Sequence, residues 1–289
     1  MSIGRGTATL TLDSDSDDST QLFCEHPDMN KLKLAAAVVV ALAAAPVMAA
    51  DTWIGTANYG AGAETVGPFN TYDFSSGGVL LIKPTSSLTS ANGYYQSFVS
   101  NHLLDGIQVA NPALDANHYE ITVVANFTSQ LLPSTPNSNT YQVTGGSFSL
   151  WLDKTPDHKF STDTGFNDSI EIMKGSVVSG GGSNYIMGTQ QFGGGALQLA
   201  VTSYDSSIYN PATIGGGDSI FTLRLGAKVD KAFLDPITSV QGNMVGTDGL
   251  KFAADGNLVL TPVPEPESYA MLLAGLGLIG AIARRRASR

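Results

Sequence analysis

His118-Tyr119-Glu120-Ile121-Thr122-Val123-Val124-Ala125-Asn126-Phe127 alternates between two faces. Tyr119, Ile121, Val123, Ala125 and Phe127 fall on one side; Glu120, Thr122 and Asn126 fall on the other. A half-buried antiparallel strand produces this period of two, because successive side chains leave opposite faces of the pleat. Phe221, Leu223 and Leu225 repeat the pattern against Thr222 and Arg224. Shorter β segments are Trp53 to Tyr59, Val79 to Lys83, Tyr141 to Val143, Ser147 to Leu152, Ser169 to Lys174, Leu197 to Tyr204 and Asn257 to Thr261. Between them lie Gly, Ser, Asn, Asp and Pro clusters that predict turns, including glycine triplets beginning at Gly180, Gly193 and Gly215. Tyr94 to Leu104 reads as a short helix. About nine strands without long intervening helices predict an all-β fold, an antiparallel two-sheet β-sandwich of which a jelly roll is one form. The glycine triplets are unevenly spaced, which argues against a repetitive β-helix.

Residues 51–262 form the predicted domain, 212 residues long, enough to bury a sizeable core. They carry 17 Asp and Glu against 8 Lys and Arg, a formal charge of −9. Nucleic acid is excluded as a partner on this balance, since binding it needs a basic footprint. The chain's one cysteine, Cys24, lies outside this domain, so its stability is expected to rest on packing without disulfides.

Residues 1–28 read as a non-native or disordered extension, polar and acidic through Asp13, Asp15, Asp17 and Asp18. Residues 29–50 read as a secretory signal peptide. Lys31 and Lys33 supply its basic start, Leu34 to Ala45 its apolar run, and Val47, Ala49 and Ala50 the small residues of a peptidase site. Met29 is therefore the expected start, an unusually long basic region being the alternative.

Residues 263–289 form a tail of three parts. Pro262, Pro264 and Pro266 hold an extended segment around Glu265, clear of the domain. Residues 269–283 are uncharged and read as a transmembrane helix of about 22 Å against about 30 Å of hydrocarbon. That is short for a permanent span, and Arg284, Arg285 and Arg286 set its cytoplasmic end. Gly275, Gly277 and Gly280 match a dinucleotide fingerprint, but no strand precedes them and the nucleotide reading is rejected.

On Pro264-Glu265-Pro266, the apolar helix and the basic end, the chain resembles the PEP-CTERM proteins of Gram-negative bacteria. The resemblance implies export, a transient inner-membrane anchor, cleavage by an exosortase, and release or attachment at the cell surface or in the extracellular matrix. An ordinary C-terminal anchor is the bland alternative. Tyr119-Glu120-Ile121-Thr122, Leu150-Trp151-Leu152-Asp153 and Gly242 to Leu260 further resemble the flocculation-associated members of that class. These are linked to extracellular polysaccharide and apparently lack catalysis.

Residue chemistry adds little. No nucleophile elbow, zinc-helix motif or phosphate loop is found. His102, His118 and His158 are far apart in sequence, a weak basis for a metal site. Asp153, Asp157, Asp163 and Asp168 cluster in a polar loop, where oxygen ligands suit calcium and solvated acids are the plain alternative. Asp105, Asp115 and Glu120 offer a glycosidase pair, and Trp53, Tyr94, Tyr95 and Trp151 offer sugar-stacking rings or core packing. Two expectations stand. One is a non-enzymatic, cohesive surface protein of biofilm or floc; the other is a secreted carbohydrate-binding module or carbohydrate-active enzyme. Terminal sequencing of exported protein should find Ala50 or Asp51 first; Met1 or Met29 there would overturn the signal reading.

Overall fold

The computed structural model describes residues 52–60, 65–87, 89–133, 135–188, 190–215, 220–263 and 266–287. All lie within the unit Ala50–Arg289. The extension, the signal peptide with Val47, Ala49 and Ala50, and the tail residues Pro264 and Glu265 lie outside the described residues.

In chain order the first strands are β1 (Gly55–Ala57), β2 (Val66–Phe69), β3 (Thr71–Phe74), β4 (Gly78–Pro84), β5 (Ser90–Leu104), β6 (Ile107–Val109), β7 (Glu120–Leu131) and β8 (Ser138–Asp153). They continue with β9 (Ile170–Met187), β10 (Gln190–Tyr204), β11 (Tyr209–Asn210), β12 (Ile220–Lys228), β13 (Ser239–Val240), β14 (Asn243–Met244) and β15 (Leu250–Val259). The described helices are α1 (Lys231–Leu234) and α2 (Pro266–Ala287).

The sequence pattern correctly marks β structure, and the sandwich expectation is overturned. β5, β7, β8, β9, β10 and β12 pair antiparallel, each with the next. β3 and β4 behave as one interrupted strand, for both pair with β5 on one side and β15 on the other. β15 also pairs with β12, from Thr222↔Val259 to Lys228↔Ala253, and the sheet closes on itself. Among the described residues this is a closed antiparallel β-barrel of eight staves in up-and-down order. Alternation is the same in a sandwich and a barrel, since each has one dry face; closure depends on pairing between distant segments.

The expected turns and helix are corrected as well. Residues 94–104 belong to β5, where Tyr95 and Val99 point into the core with Phe74 and Leu80. Gly180 to Gly182 and Gly193 to Gly195 are paired strand residues, with Gly182 opposite Gly195. Ladder pairing with neighbouring strands holds them extended, and Tyr141 leaves no room for a side chain on two of them: a Cβ at Gly182 would lie 2.4 Å, and at Gly195 2.7 Å, from its hydroxyl. The third triplet falls largely outside the described residues.

Inward-facing Ile121, Val123, Ala125 and Phe127 meet Phe148, Leu150, Leu197, Leu199 and Phe252 in one core. One end of the barrel is closed. There the small sheet of β11, β1 and β2 brings Trp53, Tyr59, Phe69 and Tyr209 over the staves, all buried. The chain enters and leaves here, with the Trp53 N–H donating to Leu260 O at 2.9 Å. On the outer wall, Val79 and Leu81 of β4 are covered by Leu234, Ile237 and Val240 from α1 and the β13–β14 hairpin. Asp230 caps α1, accepting from the Phe233 N–H at 3.3 Å.

The tail helix needs a correction. α2 forms, but among the described residues no helix is long and apolar enough to cross a membrane. Its uncharged run, residues 268–283, rises only about 24 Å before the arginines begin.

Phe127 occupies the space a side chain at Gly93 would take, 2.3 Å from a Cβ there. Gly93→Ala should therefore overpack the wall and lower stability by about 1–3 kcal/mol in denaturant unfolding. Adding Phe127→Leu should recover part of that loss; strictly additive losses would show that the two do not share the site.

Candidate functional site

Opposite the closed end the barrel is open. β4 ends there at Pro84, β5 starts at Ser90, and β8, β9 and β10 reach furthest, up to the turn after Met187. A cavity of about 250 Å³ occupies this mouth and takes wall residues from every stave. Leu80, Ile82, Leu250 and Phe252 form an apolar side, while Tyr141 with Ser183 and Asn184 of β9 and Gly193 and Gly194 of β10 form the side facing it. Among the described lining residues none is charged. Burial pushes the Tyr141 phenol up from its ordinary value, so it stays protonated and able to donate. The glycine triplets were the sequence signal here, and a turn reading concealed it.

The acids predicted as a calcium set are only partly brought together. Asp153 and Asp157 share a space with Glu120, one oxygen of each within 4.8 Å of the others. Glu120 is already engaged, because its Oε1 accepts from the N–H groups of Asp157 at 2.9 Å and His158 at 3.1 Å. Its Oε2 pairs with His158 Nδ1. Burial raises the Glu120 carboxyl, but these partners outweigh it and hold the group below its ordinary value. Asp163 lies elsewhere in the loop, accepting from Gln96 Nε2 at 3.1 Å, Gln241 N at 2.9 Å and Gly242 N at 2.8 Å. This clasp straps the loop to the outer wall, beside the ring stack of Phe98, His158, Phe160 and Phe166. Asp168 is exposed.

The remaining candidates also separate. Asp115 pairs with exposed His118 at 2.8 Å, and Asp105 accepts from Asn70 Nδ2 at 2.8 Å. Trp53 and Tyr95 are core residues, while Trp151 is half-buried and donates to Ser149 Oγ at 2.9 Å.

His102 joins neither acid; it sits in the closed end among tyrosines. Asn111 Nδ2 donates to its Nδ1 at 3.3 Å, which leaves the ring proton on Nε2, 2.8 Å from Tyr59 Oη. Tyr59 and Tyr72 share a hydrogen bond of 3.0 Å, and Tyr72 and Tyr209 one of 2.8 Å. Burial drives all three phenols well above their ordinary value and lowers His102 to about 3. This polar chain fastens the plug to the staves.

Residues 262–287 match the PEP-CTERM protein-sorting motif. Comparison of the chain with curated proteins and with solved structures gives no match. The motif supports an exported, exosortase-processed surface protein, with the exosortase as processing partner and membrane-associated sorting to the cell surface.

His102 carries a pH prediction. The folded chain keeps it neutral down to about pH 3, whereas the unfolded chain protonates it near pH 6.5. Between those values the unfolded state holds the extra proton, so stability falls as pH drops, by about 1.4 kcal/mol per pH unit from this group. Denaturant unfolding from pH 7 to pH 4 should show a shallower decline in His102→Gln than in the parent. Equal slopes would mean His102 is protonated in the fold.

Proposed function

We propose that the protein is a non-catalytic component of the cell surface or extracellular matrix, cohesive in biofilm or floc together with extracellular polysaccharide. The observation that carries this reading is the sorting motif at residues 262–287, which supports delivery to the outside. The cohesive role rests further on the resemblance to flocculation-associated proteins along Tyr119 to Thr122, Leu150 to Asp153 and Gly242 to Leu260.

The use made of the reactive side chains supports a non-catalytic reading. Glu120 is spent on holding a loop, Asp163 on clasping it, and His102 on fastening the plug. General acid–base work instead asks for a titrating group within reach of substrate. The carbohydrate-active alternative finds less support, since of its four candidate rings Trp53 and Tyr95 are buried and cannot present a stacking face, while Tyr94 and Trp151 are half-buried.

The test has two arms. Glu265→Ala and Pro266→Ala should each leave uncut precursor in the membrane fraction on immunoblots, and normal maturation of both would remove the exosortase reading. Deleting the gene should reduce cell aggregation, with recovery on complementation. Unchanged aggregation with processing intact would remove the cohesive role alone.

A further inference from the structure

The barrel mouth has features that neither sorting nor cohesion uses. Its cavity of about 250 Å³ is apolar along Leu80, Ile82 and Phe252. Gly193 and Gly194 line it with no side chains where other staves present large ones. Beside them the Tyr141 ring fills the place that side chains at Gly182 and Gly195 would take, and forms a flat wall. Eight-stranded barrels have interiors that side chains just fill, or that hold one small ligand. This barrel does both, filled below by Phe127, Phe148 and Phe252 and open above.

Two polar atoms give the cavity a direction. Asn184, on the inner face of β9, has a buried amide oxygen with no hydrogen-bond partner among the described residues. Leaving such an atom unpaired costs free energy that a bound donor would recover. The Tyr141 hydroxyl stands nearby over the glycine strip, without a partner among the described residues. Around the opening, Leu131, Tyr185, Ile186, Met187, Phe192 and Leu250 are exposed, Met187 at 65%. An apolar rim leading into an apolar hollow favours entry of an apolar molecule and offers nothing to attract a charge.

We infer that the mouth binds one neutral, mainly apolar molecule bearing a single hydroxyl or N–H group, which hydrogen-bonds to Asn184. A 150 Å³ cavity takes benzene, so this one suits about ten non-hydrogen atoms, the size of a small phenol or medium-chain alcohol. A sugar does not fit the pattern, since Leu80, Ile82, Leu250 and Phe252 would strip water from its several hydroxyls. The Ser90, Ser129 and Ser183 hydroxyls are already hydrogen-bonded within the wall. The domain's formal charge of −9 further disfavours an anion.

The probe is 1-naphthol, titrated by fluorescence into the full chain in detergent-free buffer, with naphthalene as the control lacking a hydroxyl. Saturation at one 1-naphthol per chain is expected, with naphthalene about tenfold weaker. Ala227→Phe, which puts a ring into the hollow from β12, should weaken 1-naphthol at least tenfold. Asn184→Leu should bring the two ligands to similar affinity. Because Ala227→Phe could disturb folding, methyl NMR of the parent provides a second readout. The methyls of Leu80 and Ile82 should shift on binding. No saturable binding, adsorption beyond one per chain, or shifts confined to rim residues would overturn the inference.

Discussion

Everything described about this domain depends on the seam at β15. On one side it pairs with β12, and on the other with β3 and β4. Without both pairings the sheet would carry two long unsatisfied edges, a ready template for chain-to-chain aggregation. With them, each stave has a neighbour on both sides, and among the described residues the barrel sheet has no free edge. The seam joins the first and last staves, such as Tyr72 and Leu258, so it forms only once the chain has been made through β15. A protein sorted to the cell surface gains from this, since closed staves offer no edge for stray pairing with other chains.

The fold was half legible in the sequence. Alternation at residues 118–127 reports one dry face, and the structure supplies it: Ile121, Val123 and Ala125 are buried. Alternation cannot report what closes the sheet, because that information lies in which distant strands pair. Local composition misled in two places. Glycine triplets suit turns, yet two of them are extended because long strands pair on both sides of them, and Gly182 and Gly195 are needed where the Tyr141 ring leaves no room for a Cβ. Tyr94 to Leu104 shows no clean alternation because Gln96 and Ser97 are both buried, one on the outer wall under the Asp163 clasp and one inside. Tertiary packing on both faces erased the period that would have marked the strand.

The sites divide in the same way. The sorting motif is contiguous, and its three physical parts can be read in order from residues 262–287. The cavity is assembled from all eight staves, so no window of sequence contains it. The acidic loop lies between. Its residues are neighbours in sequence, but their work depends on partners far away, such as Gln241 for Asp163 and Glu120 for His158. Sequence distance, more than residue type, decided what could be seen.

The chain enters at Trp53 and leaves past Leu260 at the same end, the plugged one. That placement gives the molecule a polarity along its barrel axis. Any tether acting through the tail pulls on the base of the barrel, and the opposite opening is left unobstructed. The load falls first where Trp53 Nε1 donates to Pro211 O at 3.0 Å and where Ile214 bridges Pro262. Tension would thus work on the plug before it reached the staves, and the mouth would keep its shape while the base was strained.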